Sequence, residues 1–171
     1  MTNDAYATPG PGSLLEMRHI EKSFSGTRVL DDVDLDVRAG EVHVIAGENG
    51  AGKSTLMNIL CGVHPEYGGD VFLNGRKAVF QSPADSAAAG IAMIHQEMSL
   101  IPSLNAVDNI FLGRELTRHG VWIDRSRQRD AAAGLLDRLG LDIDPDTPIG
   151  NYRVSVHQVI EIAKALALTA G

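Results

Sequence analysis

Gly47-Glu48-Asn49-Gly50-Ala51-Gly52-Lys53-Ser54-Thr55 is the stretch that decides the reading of this chain. It fits the pattern G-x-x-x-x-G-K-[ST], in which glycines let the backbone bend so that successive N–H groups converge on phosphate oxygens. The flanks supply the context the pattern needs. Before it, Glu41 to Ala46 carries Val42, Val44, Ile45 and Ala46, a nearly continuous apolar run that predicts a parallel strand buried in mid-sheet. After it, Lys53 to Cys61 sets Leu56, Ile59 and Leu60 at helical spacing, and Gly62 stops the helix. A helix starting near Gly52 aims its positive dipole end and unpaired N–H groups into the loop. Lys53 then offers a cation to the β- and γ-phosphates of a nucleotide, and Ser54 offers a hydroxyl oxygen to Mg²⁺. The alternative, an ordinary glycine-rich turn between strand and helix, is disfavoured by the full match and by both flanks.

Toward the N-terminus, Val29 to Val37 alternates, with Val33, Leu35 and Val37 on one face and Asp34 and Asp36 on the other, as in a strand with one wet side. Leu14 to Ile20 reads as a short strand, and residues 1–13, polar and rich in Pro and Gly, as a flexible tail. Toward the C-terminus, residues 68–80 form a hairpin candidate around Asn74-Gly75. Ser82-Pro83 opens an Ala-rich helix that Gly90 ends, and Ile91 to Ile94 predicts a further buried strand. From about Asn105 the pattern is helical, over Ala106 to Leu112, Arg125 to Leu139 and Val156 to Leu168.

Composition narrows the function classes. The 171 residues are 44% hydrophobic and 22% charged, near the soluble average, which argues against a disordered or fibrous chain. No run approaches the ~18–20 apolar residues of a membrane span, and residues 1–13 lack the build of a signal peptide. A single cysteine excludes an internal disulfide, and no Cys/His cluster has zinc spacing. The net charge of −7 disfavours a broad nucleic-acid surface, which needs a positive field.

Four phrases carry a resemblance: SFSGTRVLDDVDLDVRAGEVH, GENGAGKSTLMNILCGV, MIHQEMSLIPSLNAVDNIFLGRE and IEIAKALAL. Through them the chain resembles, over about Leu14 to Thr169, the nucleotide-binding subunit of ATP-binding cassette (ABC) transporters. Within that group it is similar to the ATPases of bacterial monosaccharide importers of the ribose, xylose and galactose type. The resemblance implies an α/β P-loop NTPase fold: a mixed sheet carrying the phosphate loop, plus a helical subdomain. Residues 14–97 would then be a partial ATP-binding core, and residues 98–171 the helical subdomain with a degenerate signature segment. It further implies ATP and Mg²⁺ as cofactors, and membrane permease subunits, a second nucleotide-binding domain and, indirectly, a periplasmic sugar-binding protein as partners. No nucleic acid is among them. The implied location is the cytoplasmic face of the bacterial plasma membrane.

Residue by residue, the resemblance assigns Gly47 through Thr55 to the phosphates, with Ser54 also toward Mg²⁺. Phe24 falls where the family stacks an aromatic ring on adenine; a core phenylalanine at a strand end is the alternative. Gln96 matches the glutamine that senses the γ-phosphate and Mg²⁺, and His95 is read only as its neighbour. The family's L-S-G-G-Q signature falls on Tyr152-Arg153-Val154-Ser155-Val156, where Arg153 replaces the serine and both glycines are gone. A register two residues later, Val154 to Gln158, keeps a serine and a glutamine and makes Ser155 the signature candidate. The family's second phosphate motif, with its Mg²⁺-binding Asp and catalytic Glu, is expected beyond Gly171. The chain is accordingly read as a truncated piece, inactive alone as an ATPase, with Val42, Val44 and Ile45 on an unpaired apolar edge.

Other features read more plainly. Cys61 is expected as a small buried hydrophobe. Asp124 to Asp130 is expected as a solvated helix face rather than a nucleic-acid contact, and Asp142 to Asp146 as a surface loop without the glycine and closing Glu of a calcium loop. Residues 98–112 are apolar enough for a membrane partner's docking surface, although core packing can claim most of them. Two competing functions stay open at this point: a non-hydrolysing nucleotide-binding fragment or broken-gene product, and a cytosolic ABC ATPase acting on DNA or ribosomes.

Overall fold

The alternation around Val33 becomes β2 (Thr27–Arg38), paired with β1 (Ser13–Phe24) in a long antiparallel ribbon. The computed structural model describes residues 12–94, 99–118 and 121–169, and the chain divides into two compact units, residues 1–86 and 87–171. All but the last two residues of the tail read at 1–13 lie outside the described residues, and Ser13 already belongs to β1.

In the first unit, β3 (Gly68–Leu73) and β4 (Arg76–Ala78) complete a four-stranded sheet in the order β2-β1-β3-β4, with every ladder antiparallel. Ser25-Gly26 joins β1 to β2 and Asn74-Gly75 joins β3 to β4. Both residues of each pair have positive φ, the requirement of the two-residue hairpin turn whose twist matches the strands. Leu35 is buried and Asp34 and Asp36 exposed, as the alternation requires. The pairing of β1 with β2 slips between Met17 and Ile20, where His19 and, across from it, Asp32 are left-handed. That bulge turns both Met17 and Ile20, three residues apart, into the core. It is closed by His19 Nδ1 and Asp32 Oδ1 at 2.6 Å and by the His19 N–H donating to Asp34 Oδ1 at 2.7 Å. The Asp32 carboxylate raises the His19 pKa.

Helix α1 (Lys53–Leu60) packs on β2 and buries Leu56, Ile59 and Leu60, with Cys61 buried at its C-cap. Burial pushes the Cys61 thiol pKa up, as for an inert structural cysteine. A short helix α2 (Pro83–Ala88) is tied back by the Ser86 hydroxyl, which donates to the Cys61 carbonyl at 3.0 Å.

Two expected strands do not form. Residues 41–48 have no regular structure, and Val42 and Val44 are 90% and 79% exposed. Residues 91–94 are likewise irregular, with Ile94 exposed. A strand apolar on both faces is held only by neighbours on both edges and layers on both sides, and among the described residues no strand pairs with either segment.

The second unit is mainly helical: α3 (Ala106–Ile110), α4 (Arg125–Arg138) and α5 (Val154–Thr169), with a 3₁₀ turn at Ile149–Asn151. Its core gathers Ala106, Val107, Ile110, Phe111, Ala132, Leu136, Ile149, Ile160 and Ala163. Of the apolar stretch read at 98–112, Met98 lies outside the described residues, most of the others are used in packing, and Ile101 and Leu112 stay partly exposed. Asn105 and Asp124 cap α3 and α4 by accepting the backbone N–H groups of Asp108 and Arg127. Fully buried Asn109 accepts from the Ile101 N–H at 2.8 Å and donates to the carbonyls of Ile101, Leu104 and Asn105. Arg125 and Arg129 pair with Asp108 and Asp146, which makes the charged run an ion-paired helix face. A hairpin of β5 (Thr117–Arg118) and β6 (Trp122–Ile123) was not expected, because two-residue strands leave no period to read.

Candidate nucleotide-binding site

The loop at 47–55 takes its shape from two left-handed glycines, Gly50 (φ 86°) and Gly52 (φ 85°), the latter being the N-cap of α1. A turn closes within the loop where the Ala51 N–H donates to the Glu48 carbonyl at 3.2 Å. The first helical bond follows, from the Leu56 N–H to the Gly52 carbonyl at 2.9 Å. Gly52 is buried against β2, where a Cβ would lie 2.7 Å from Leu30 Cδ2 and 3.1 Å from the Val29 carbonyl oxygen. Glycine there satisfies both the backbone angle and the close approach.

Lys53 folds back along the curl, its Nζ donating to the carbonyls of Gly47 and Glu48, each at 2.7 Å. The ammonium thus sits at the mouth of the loop, beside the amino end of α1, whose first turn holds no acidic residue to offset the dipole. Glu48, Asn49, Gly50 and Ala51 are exposed and Thr55 is half-buried. Ser54 is exposed on the first turn of α1, a hard oxygen donor of the type Mg²⁺ accepts as one of its ligands. Chemically the arrangement is an anion cradle: a fixed cation, a helix N-terminus and a hydroxyl within one short segment.

Phe24 closes β1 and is 40% exposed, so it is not a core residue. Its ring meets the His64 ring edge-on, with centroids 5.2 Å apart and planes at 68°, and the Lys22 ammonium lies 5.3 Å from its centroid. The sequence reading missed His64 and Lys22. Nothing in a lone His after a helix marks it; its position just past the helix-stopping Gly62 was the one available signal. Gln96 lies outside the described residues, as do His95 and Glu97. Ser155 is exposed in the first turn of α5, in the second unit, and Arg153 stands just before that helix with its carbonyl accepting the Val156 N–H. Both registers of the signature therefore fall at the start of α5. Gly47 through Thr55 form one contiguous loop and the first turn of α1, with Lys53 folded back onto the loop.

The sequence pattern of the ABC transporter family matches residues 30–170. Among similar proteins, the ribose import ATP-binding protein RbsA 2 of Burkholderia ambifaria is 52% identical over 159 residues, covering 92% of this chain and 31% of that protein. A putative ribose/galactose/methyl galactoside import ATP-binding protein of Agrobacterium fabrum is 48% identical over 157 residues, again 92% of this chain and 31% of its own length. The chain thus spans about a third of the length of these relatives. A crystal structure of a nucleotide-free ATP-binding cassette from an ABC transporter superposes with a TM-score of 0.78 at 25% identity, covering 91% of this chain and 65% of that one. An ATP-binding cassette in its ADP conformation gives a TM-score of 0.75, also at 25% identity and with the same coverage.

Proposed function

The chain belongs to the ABC transporter family, and we propose that it is an ATP-binding part of a bacterial monosaccharide import system, coupling ATP binding and hydrolysis to carbohydrate transport. The observation that carries this reading is the cradle at 47–55, with Lys53 turned into the loop at the N-terminus of α1. The sugar is suggested by the relatives named for ribose and galactoside import.

On this reading the N–H groups of Gly50 to Ser54 and the α1 dipole bind the β-phosphate. Lys53 exchanges the Gly47 and Glu48 carbonyls for β- and γ-phosphate oxygens. Ser54 would hold Mg²⁺, which supplies charge neutralisation on the transferred phosphoryl group. Phe24, partly exposed at the end of β1, is the candidate partner of the adenine ring, Gln96 senses the γ-phosphate, and Ser155 is the candidate for contact with a second nucleotide-binding domain. Permease subunits and, through them, a periplasmic sugar-binding protein are the remaining partners, which sets the protein on the cytoplasmic face of the membrane. No helix among the described residues is long and apolar enough to cross a bilayer.

We further propose that the 171-residue polypeptide alone turns over ATP slowly. Gly50, Gly52 and Lys53 position phosphate, yet no acid in these residues stands at the family's water-orienting place. Loss of positioned acid–base assistance costs about 10²- to 10⁴-fold in rate.

Titration of a fluorescent ATP analogue into the wild-type chain and Lys53→Ala tests the site. Lys53 exchanges two hydrogen bonds to neutral loop carbonyls for two to charged phosphate oxygens, each roughly twice as strong, so the surplus lost in the mutant is about 1.5–3 kcal/mol. That is roughly a 10- to 150-fold weaker Kd. Equal affinity in the two proteins refutes the cradle as the nucleotide site. Steady-state phosphate release with Mg-ATP is the companion measurement, and Lys53-dependent turnover at the rate of an intact transporter ATPase would overturn the slow-turnover proposal.

A further inference from the structure

We propose that His64 is a positioning residue for the nucleotide base, acting through Phe24; this rests on the reading of Phe24 as the base platform. Phe24 stands at the last position of β1, directly before the left-handed turn Ser25-Gly26, with its ring partly in solvent. A ring in that place has no same-strand neighbour beyond it to fix its tilt. The contacts on it come from His64, in the segment after α1, and from Lys22 two residues earlier on β1. The His64 and Phe24 rings meet edge-to-face with centroids 5.2 Å apart, and the Lys22 ammonium, which also donates to the Glu66 carbonyl, lies over the Phe24 ring. Edge-to-face geometry sets ring orientation because the positive rim of one ring meets the negative face of the other.

The segment that presents His64 is itself held firmly. The N–H groups of Val63 and His64 both donate to the Asn58 carbonyl, at 2.8 and 3.2 Å, so His64 hangs from the last turn of α1. Gly62 passes so close to the Ser82 carbonyl that a Cβ would lie 2.4 Å from its oxygen. The same helix begins at Lys53, inside the phosphate cradle. Eight helical residues rise about 12 Å. Helix α1 therefore links the two ends of the nucleotide site, with phosphates at its N-terminus and, through His64, the base platform at its C-terminus. In this arrangement His64 sets the pose of Phe24, and the platform keeps a fixed place relative to the cradle.

The test compares ATP with inorganic tripolyphosphate, which has no base, as ligands of the 171-residue chain. His64→Ala is expected to weaken ATP about threefold to tenfold and leave tripolyphosphate unchanged. His64→Phe, which keeps an aromatic edge, is expected to restore ATP affinity. In a Phe24→Ala background, His64→Ala should have no further effect. An equal loss for both ligands would make His64 a merely structural support of α1 and overturn the proposal. Were Phe24→Ala to weaken ATP while His64→Ala did not, the His64 proposal alone would fail. Unchanged ATP affinity in Phe24→Ala would remove the platform reading itself, and the proposal with it.

Discussion

Substituting alanine in turn at Gly47, Gly50 and Gly52 separates backbone strain from crowding in the phosphate loop. Gly50 is left-handed, but a Cβ there meets nothing within 4 Å. Gly50→Ala should therefore carry only the conformational cost, about 1–2 kcal/mol. Gly52 is left-handed as well, and its Cβ would fall 2.7 Å from Leu30 Cδ2 and 3.1 Å from the Val29 carbonyl oxygen. Leu30 is 4% exposed and has little room to move, so Gly52→Ala adds an overpacking cost of about 1–3 kcal/mol. Gly47 is not left-handed, and its Cβ would make ordinary contacts of 3.4 Å with Ala51 Cβ and 3.8 Å with Lys53 Cδ. Gly47→Ala should fold as the wild type does. Thermal unfolding of the three variants is the assay. In a unit of this size 1 kcal/mol shifts Tm by about 4–8 °C, so Gly52→Ala should melt at least that much below Gly50→Ala. A shared midpoint for Gly50→Ala and Gly52→Ala would refute the close packing of the loop on β2. Nucleotide titration of the same proteins should follow the same order.

In the helical unit, Asn109→Ala leaves the Ile101 N–H without its acceptor, while the carbonyls of Ile101, Leu104 and Asn105 keep backbone donors, and should cost about 1–3 kcal/mol by urea unfolding. Asp124 has its carboxyl pKa lowered, first by the Arg118 guanidinium and then by the Arg127 N–H it caps. Its contribution is therefore complete above the ordinary carboxylate pKa and is lost as pH falls through the lowered one. Hydrogen exchange at the first turn of α4 should speed up over that acid window in the wild type, whereas Asp124→Asn should show no such step. Val44, 79% exposed near the still barer Val42, should drive self-association of the isolated polypeptide. Val44→Lys is expected to lower light scattering without moving Tm, and undiminished scattering would refute that assignment.

What could be read from the sequence was decided over short stretches of chain. The phosphate loop was legible because its chemistry is local: Lys53 reaches the Gly47 and Glu48 carbonyls within the same curl, and the helix that follows starts from its own N-cap. The Asn74-Gly75 hairpin and the three long helical patterns were legible for the same reason, since turn angles and helical faces are set by neighbours in sequence. Segments 41–46 and 91–94 misled because apolar composition reports that a strand wants burial, not that partners are present to supply it. Ile20 was out of phase with plain alternation because one left-handed residue, His19, shifts the register, and a histidine does not announce such a bend. The need for glycine at position 52 has one local cause and one distant cause. The motif explains the bend, but contact with Leu30 on β2 explains why no side chain fits. His64 at Phe24 is of the distant kind alone. Non-local contacts of this sort orient a site whose chemistry the local motif has already supplied. They place the candidate residues for affinity and pose in segments that carry no motif.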